Sequence, residues 1–308
     1  MRNRQLPRQR LLTFAGTEIV LSPSLFVMAI ALVVLFGPQF GELAHGNGTL
    51  VAAIFVLVLY ASILLHELGH VVVAKAFGFR VPTVELHFMG GHTVIEDRSR
   101  NPGQEFLVAV IGPVISGLLG VSFLMTHQFF GGIAGTVLWS TGIINVFLAF
   151  FNLLPSPPLD GGRIVRALGW ALGGSELSGI RFAGYCGRAT AVVLAIGTPI
   201  FLNFHDPYDY VRLIVLWVLA AYMWHASGIS MRYDTRIARV AALSARELLR
   251  DVPPPPDAVR IRVDLTGMEL LRALNENPAP VYALVDEAGT ALGSLLSEDV
   301  DRAYTENT

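Results

Sequence analysis

From Leu50 to Phe77 the chain is almost continuously apolar, and late in that run it places His66-Glu67-Leu68-Gly69-His70. Few folds are open to such a run. As a helix it measures about 40 Å, more than the ~30 Å hydrocarbon core of a bilayer, so it reads as a membrane span. Histidines at i and i+4 share one helix face and can reach a single metal ion. Glu67 lies on the adjoining arc, close enough to take a proton from a water activated there. Ionisable groups are costly at that depth, so the cluster reads as a working metal site. His66 comes about 24 Å from the outer end of the run, in the inner third of the bilayer.

Composition agrees with a membrane chain. Of 308 residues, 53% are hydrophobic and only 15% charged, and the mean hydropathy is +0.55, whereas a soluble domain carries about 25% charged residues. The basic start, Arg2 to Arg10, is followed by an apolar core, Leu25 to Phe36, that ends in Gly-Pro-Gln-Phe without a cleavage site. It reads as a retained first span and not as a signal peptide. Further spans are expected over about Gln104–Thr126, Ile133–Leu154, Tyr185–Phe204 and Val211–Gly228, six in all. In the third, Gly112-Pro113, Gly117 and Gly120 invite close approach by another helix. Cys186, the sole cysteine, excludes an intramolecular disulfide and reads as a small residue at a helix contact. No basic stripe of the kind that binds nucleic acid is present.

Two stretches between the spans matter. Val81 to Glu96 alternates apolar and polar residues around Gly90-Gly91, a hairpin signature too short to span. At membrane depth such a hairpin must face protein or a wet cavity, so it should line the entrance to the metal site. Its His87 and His92 read as ordinary polar-face residues. The fourth span ends in Asn152-Leu-Leu-Pro-Ser-Pro-Pro-Leu-Asp160-Gly-Gly-Arg163, where the density of Pro and Gly predicts an irregular loop. Asp160 in that loop is the natural third ligand, since a catalytic zinc takes three protein ligands and keeps one open position. A short amphipathic helix is expected over Ile164–Leu172.

Charge placement orients the chain. With a cytoplasmic amino terminus, the inner connections hold Lys75, Arg80, Arg98, Arg100, Arg163, Arg166, Arg181, Arg232, Arg236 and Arg239, while the connections near Gly41, Gly131 and Asp206 hold no Lys or Arg. This is the positive-inside pattern of a multi-pass plasma-membrane protein. It puts both metal motifs at the cytoplasmic side. Arginine far outnumbers lysine, with abundant Ala and Gly, as in a bacterium of high GC content.

The chain divides into a membrane domain, 1–232, a linker, 233–258, and a polar module, 259–308. A helix is expected over Arg239–Arg250 and a stiff segment over Val252–Asp257. From Arg246 onward acidic residues outnumber basic ones two to one. The module reads as a strand (Val259–Val263), a helix (Met268–Asn275), a hairpin (Val281–Val285 and Ala291–Leu296) and a closing helix (Glu298–Tyr304). About fifty residues make a poor independent core, so it should pair with a second copy and make the chain a homodimer.

His66-Glu67-Leu68-Gly69-His70 on a membrane helix, with Asn152-Leu-Leu-Pro155 and Pro158-Leu-Asp160-Gly161 closing a later one, resembles the site-2 protease family of intramembrane zinc metalloproteases over about residues 10–230. The resemblance implies one Zn2+ per chain on His66, His70 and Asp160, Glu67 as catalytic acid/base, and Asn152 on the substrate. It also implies that the Gly90-Gly91 hairpin presents an edge to an unwound, single-span membrane-protein substrate in regulated proteolysis. The tail resembles one cystathionine-β-synthase (CBS) module, a regulatory unit that binds adenine nucleotides as a pair. Asp299 stands at the ribose-binding position, while Leu296 departs from the usual Ser/Thr, with Ser297 beside it. The fold class expected is thus a polytopic α-helical membrane protein of about six spans with an embedded β-hairpin, plus a small cytoplasmic α+β CBS module. The competing reading is a metal-binding transporter or channel with such a regulatory module.

Overall fold

The computed structural model describes residues 9–43, 47–88, 90–97, 99–202, 207–241 and 243–306. They form two compact units, 1–228 and 229–308.

The first unit begins with a hairpin that periodicity did not announce. Strands β1 (Gln9–Phe14) and β2 (Thr17–Leu21) pair antiparallel with Phe14 opposite Thr17. Ala15 and Gly16 form the two-residue turn, both at positive φ (47° and 80°), as a type I′ turn requires. Helix α1 (Pro23–Leu43) outlasts the expected first span, continuing through Pro38. Helix α2 (Gly48–Ala76) follows and carries the H-E-x-x-H motif. The two helices close on glycine: a Cβ on Gly48 would lie 2.1 Å from the Gly37 carbonyl oxygen. Phe36 and Phe40 then pack on Phe55, in a core shared with Val51, Val56 and Val137.

The expected hairpin is present as β3 (Thr83–His87) and β4 (Gly90–Val94), though it does not stand alone. β2 adds to β3 in parallel, giving a four-stranded sheet in the order β1-β2-β3-β4 with β4 at one edge. Buried Thr17 donates its hydroxyl to the Val81 carbonyl at 2.7 Å, and Lys75 on the last turn of α2 donates to the Ala15 carbonyl. Val81, Val84 and Phe79 pack on Val71 and Ala74, which fixes the sheet to the motif-bearing end of α2.

Helices α3 (Pro102–Thr126) and α4 (Gly132–Asn152) match the third and fourth expected spans. They meet where Gly120 faces Val146 and Gly142 faces Leu124, each with space for no side chain. Helix α5 (Asp160–Gly173) is amphipathic as expected but starts four residues early, so Asp160 opens the helix and does not belong to the loop. Helix α6 (Glu176–Phe201) packs on α5 and carries Glu176, Arg181 and Arg188 in its first half. Arg188 lies over the Trp224 ring, 5.2 Å from its centre. Helix α7 (Pro207–Ala241) covers the last expected span and continues 13 residues beyond Gly228.

Five of the described helices, all but α6 among the six candidates, are long and apolar enough to cross a membrane. Val27, Leu57, Phe150 and Val218 on four of them are 65–71% exposed. Apolar surface on that scale needs lipid around it. The protein is therefore a multi-pass membrane protein.

The second unit contains β5 (Val259–Arg262), α8 (Gly267–Glu276), β6 (Val281–Val285), β7 (Ala291–Leu296) and α9 (Ser297–Glu306), with strand order β5-β6-β7. These elements match the expected module closely. The expected helix over Arg239–Arg250 is not formed beyond Ala241. Leu243 and Ala245 are drawn into the core with Leu270, Leu284 and Leu295, and Ser244 and Arg250 bridge to Thr266 and Ser294. Burial of two apolar side chains outweighs helix propensity there. Part of the expected linker therefore belongs to this unit's core. The Arg250 guanidinium donates to the Asp299 carboxylate at 2.6 Å.

Candidate metal centre and active site

Two helices supply one cluster, and a third backs it. His66 and His70 come from α2, Asp160 from the first turn of α5, and α3 lies against them. Donor atoms of the three residues lie within 4.8 Å of one another. His66 Nε2 is 3.1 Å and His70 Nε2 3.3 Å from Asp160 Oδ2, and the two Nε2 atoms are 3.3 Å apart. Three donors bonded to one tetrahedral zinc at about 2.0–2.1 Å are held about 3.3 Å from each other. The set fits zinc in chemistry and in spacing.

The far side of each imidazole is also engaged. His70 Nδ1 lies 2.6 Å from the Val108 carbonyl oxygen, to which it donates, and His66 Nδ1 is 3.0 Å from the Ser116 hydroxyl. A proton held on Nδ1 leaves the Nε2 lone pair for a metal. A metal would require a neutral imidazole on His66 and on His70 and a carboxylate on Asp160.

Backbone space explains the glycines. A Cβ on Gly112 would lie 2.4 Å from His70 Nε2 and 2.6 Å from His66 Nε2, so only a bare backbone lets α3 pass behind the donors. Gly161 and Gly162 do the same for Asp160. Side chains there would strike the carbonyl oxygens of Leu153 and Leu154 and the backbone of Ser156 and Pro157. The 153–159 loop folds back on the first turn of α5 and so delivers Asp160 to the histidines.

Glu67 is 7% exposed and turns toward β4. Thr93 donates its hydroxyl to Glu67 Oε2 at 2.6 Å, and a Cβ on Gly91 would lie 2.3 Å from Glu67 Cγ. One cavity is lined by His66, Glu67, His70 and Asp160, by Gly90, Gly91, His92 and Thr93 of the hairpin, and by Asn152, Arg163 and Tyr222. His87 lines it too. Every expected site residue of the membrane domain therefore meets in one place, and Asp299 lies in the other unit.

Sequence reasoning missed four contributors. Ser116 and the Val108 carbonyl support the imidazoles, Thr93 holds Glu67, and Glu105 anchors α5. Buried Glu105, in the first turn of α3, accepts from Arg163 Nε at 3.0 Å, Arg166 Nη2 at 2.9 Å and the Ser99 hydroxyl at 2.7 Å. Burial opposes the Arg163 charge, and the Glu105 carboxylate more than offsets it, holding that arginine firmly protonated. The spacing Asp160…Arg163…Arg166, with Glu105 in a span otherwise free of charge, was the available signal. Glu105→Gln strands two partly buried arginines and should lower the unfolding free energy in detergent by about 2–3 kcal/mol. A denaturant midpoint equal to the parent's would show the triad to be dispensable.

Known proteins give the cluster a context. Residues 54–134 and 131–196 match the model of peptidase family M50. A Synechocystis sp. protein named "Putative zinc metalloprotease" is 28% identical over 297 residues, covering 94% of this chain and 76% of that protein. A zinc metalloprotease of Methanocaldococcus jannaschii is 26% identical over 251 residues, covering 81% of this chain and 68% of the relative. Among solved structures, the site-2 protease from Methanocaldococcus jannaschii superposes with a TM-score of 0.51 at 25% identity, covering 73% of this chain and 96% of that one.

Proposed function

We propose, since this chain belongs to peptidase family M50 and is a zinc metalloprotease of the site-2 type, that it hydrolyses peptide bonds in or near the transmembrane segments of membrane-protein substrates. The observation that carries this reading is the meeting of His66, His70, Asp160 and Glu67 in one cavity among membrane-length apolar helices.

Zinc on His66, His70 and Asp160 would supply Lewis acidity, bringing the pKa of a water toward ~7 and polarising the scissile carbonyl. The chain's own groups do the rest. Glu67 accepts the water's proton on its carboxylate and returns it to the nitrogen of the departing amine. A helical substrate shields its carbonyls by its own hydrogen bonds, so it must be extended before attack. The edge of β4 at Gly90 and Gly91 offers backbone partners to that extended segment, and Asn152 offers an amide across the cavity. Leu148 and Phe151 line the same cavity and limit water there. A metal transporter on this scaffold would have no need of Glu67 beside the ligands.

The same reading puts the amino terminus and the second unit in the cytoplasm, because Lys and Arg cluster on the connections of one side, and the excess of Arg over Lys fits a bacterial cell. That requires α6 to cross as the sixth span, with Arg188 shielded by Trp224. The second unit acts as a single CBS-type regulatory module and pairs with its copy in a homodimer. An adenine nucleotide at Asp299 would have to displace Arg250.

The test is metal dependence. The purified chain should cut a single-span model peptide in detergent, lose that activity on chelation, and regain it with one equivalent of zinc per chain. Undiminished cleavage by metal-free protein would refute the proposal.

A further inference from the structure

We infer that Thr93 is a positioning residue for Glu67, and that it ties the orientation of that carboxylate to the strand on which substrate is seated. The inference rests on the proposed role of Glu67.

Strand residues two apart share a face, so Gly91 and Thr93 both point from β4 toward α2. The two act together on one side chain. At Gly91 the strand comes so close that a Cβ would lie 2.3 Å from Glu67 Cγ, 2.6 Å from Oε1 and 2.7 Å from Cδ. At Thr93 the hydroxyl reaches Glu67 Oε2 at 2.6 Å, and among the described residues no other side chain hydrogen-bonds Glu67. One carboxylate oxygen is thereby held, and the other packs against the bare backbone of Gly91. A glutamate has three rotatable bonds between backbone and carboxylate, and alone in a cavity it would sample many orientations. Strand and hydroxyl together select one.

β4 also ends the described sheet. A peptide that pairs with its free edge therefore docks on the element that grips the base, so seating and base orientation share one rigid piece. Deleting the hydroxyl leaves the edge's backbone groups untouched. The loss should fall on kcat and spare KM.

The experiment compares full-length parent, Thr93→Val, Thr93→Ala, Thr93→Ser and Glu67→Gln in detergent, with zinc content and unfolding midpoint measured for each. The probes are β-casein, which is extended already and needs no unwinding, and a single-span model peptide. Thr93→Val and Thr93→Ala should lower kcat about ten- to a hundredfold on both probes, with KM within about twofold and zinc at parental content. Thr93→Ser, which keeps the donor, should stay within about threefold of the parent. Should the valine variant unfold, the alanine variant decides. Parental kcat in both, a change in KM alone, or failure of serine to rescue would overturn the inference. Glu67→Gln separates the two ideas: if it cleaves as the parent does, or if the parent cuts neither probe, the proposed function itself falls.

Discussion

Glu67→Gln should bind zinc as the parent does and turn over substrate about 10²–10⁴-fold more slowly, the usual contribution of a positioned general acid–base group. Glutamine has nearly the same shape, and its amide oxygen can still accept from Thr93, so packing against Gly91 is retained. What it cannot do is take up a proton at neutral pH. His66, His70 and Asp160 are untouched, so the metal should remain. Atomic absorption on the purified variant, beside a cleavage time course, measures both halves. Parental turnover would remove Glu67 from the chemistry, and loss of zinc would make it a structural support.

Gly112→Ala should do the opposite and take zinc and activity together. Its methyl group would stand 2.4 Å from His70 Nε2, 2.6 Å from His66 Nε2 and 2.7 Å from His66 Cε1. Neither ring can simply turn aside, because Ser116 and the Val108 carbonyl hold the opposite nitrogens. Either the rings rotate off the metal or α3 withdraws from α2. Both routes should weaken zinc affinity by about a hundredfold or more. Gly117→Ala is the control from the same helix, since its Cβ would meet only the Ala149 methyl at 3.7 Å. Competition with a zinc-binding dye reads all three proteins. Equal affinity for parent and Gly112→Ala would mean that the helices yield at no cost.

These two predictions separate what the residues announced from what only the fold could show. The histidine pair and its glutamate were legible because i,i+4 spacing makes its geometry locally, and Asp160 was legible because zinc asks for a third ligand. The five apolar helices followed from length and hydropathy, which a bilayer makes nearly decisive. The amino-terminal hairpin was not legible, since β1 and β2 are short and β2 gains its place in the sheet from a partner strand more than sixty residues away. Asp160 was assigned to a loop because Pro and Gly density hides a helix start whose glycines serve packing and not bending. Helix α6 stands between the two cases, its first-half charges masking an apolar second half. Ser116, Thr93 and Glu105 carry no pattern of their own. Each matters through a contact made across elements.

The parallel pairing of β2 with β3 has a consequence for synthesis. Glu18 lies opposite Thr83, so the strand emerges from the ribosome 65 residues before the strand it joins. Both first membrane helices are made in between. At about 5–20 residues per second that is a wait of roughly 3–13 s, far longer than a hairpin takes to close. The β1–β2 hairpin, with its tight Ala15-Gly16 turn, can therefore form first and stand ready as a template. When α2 has inserted, β3 arrives at an edge already laid out, and β4 is aligned through it by the strands over 9–21.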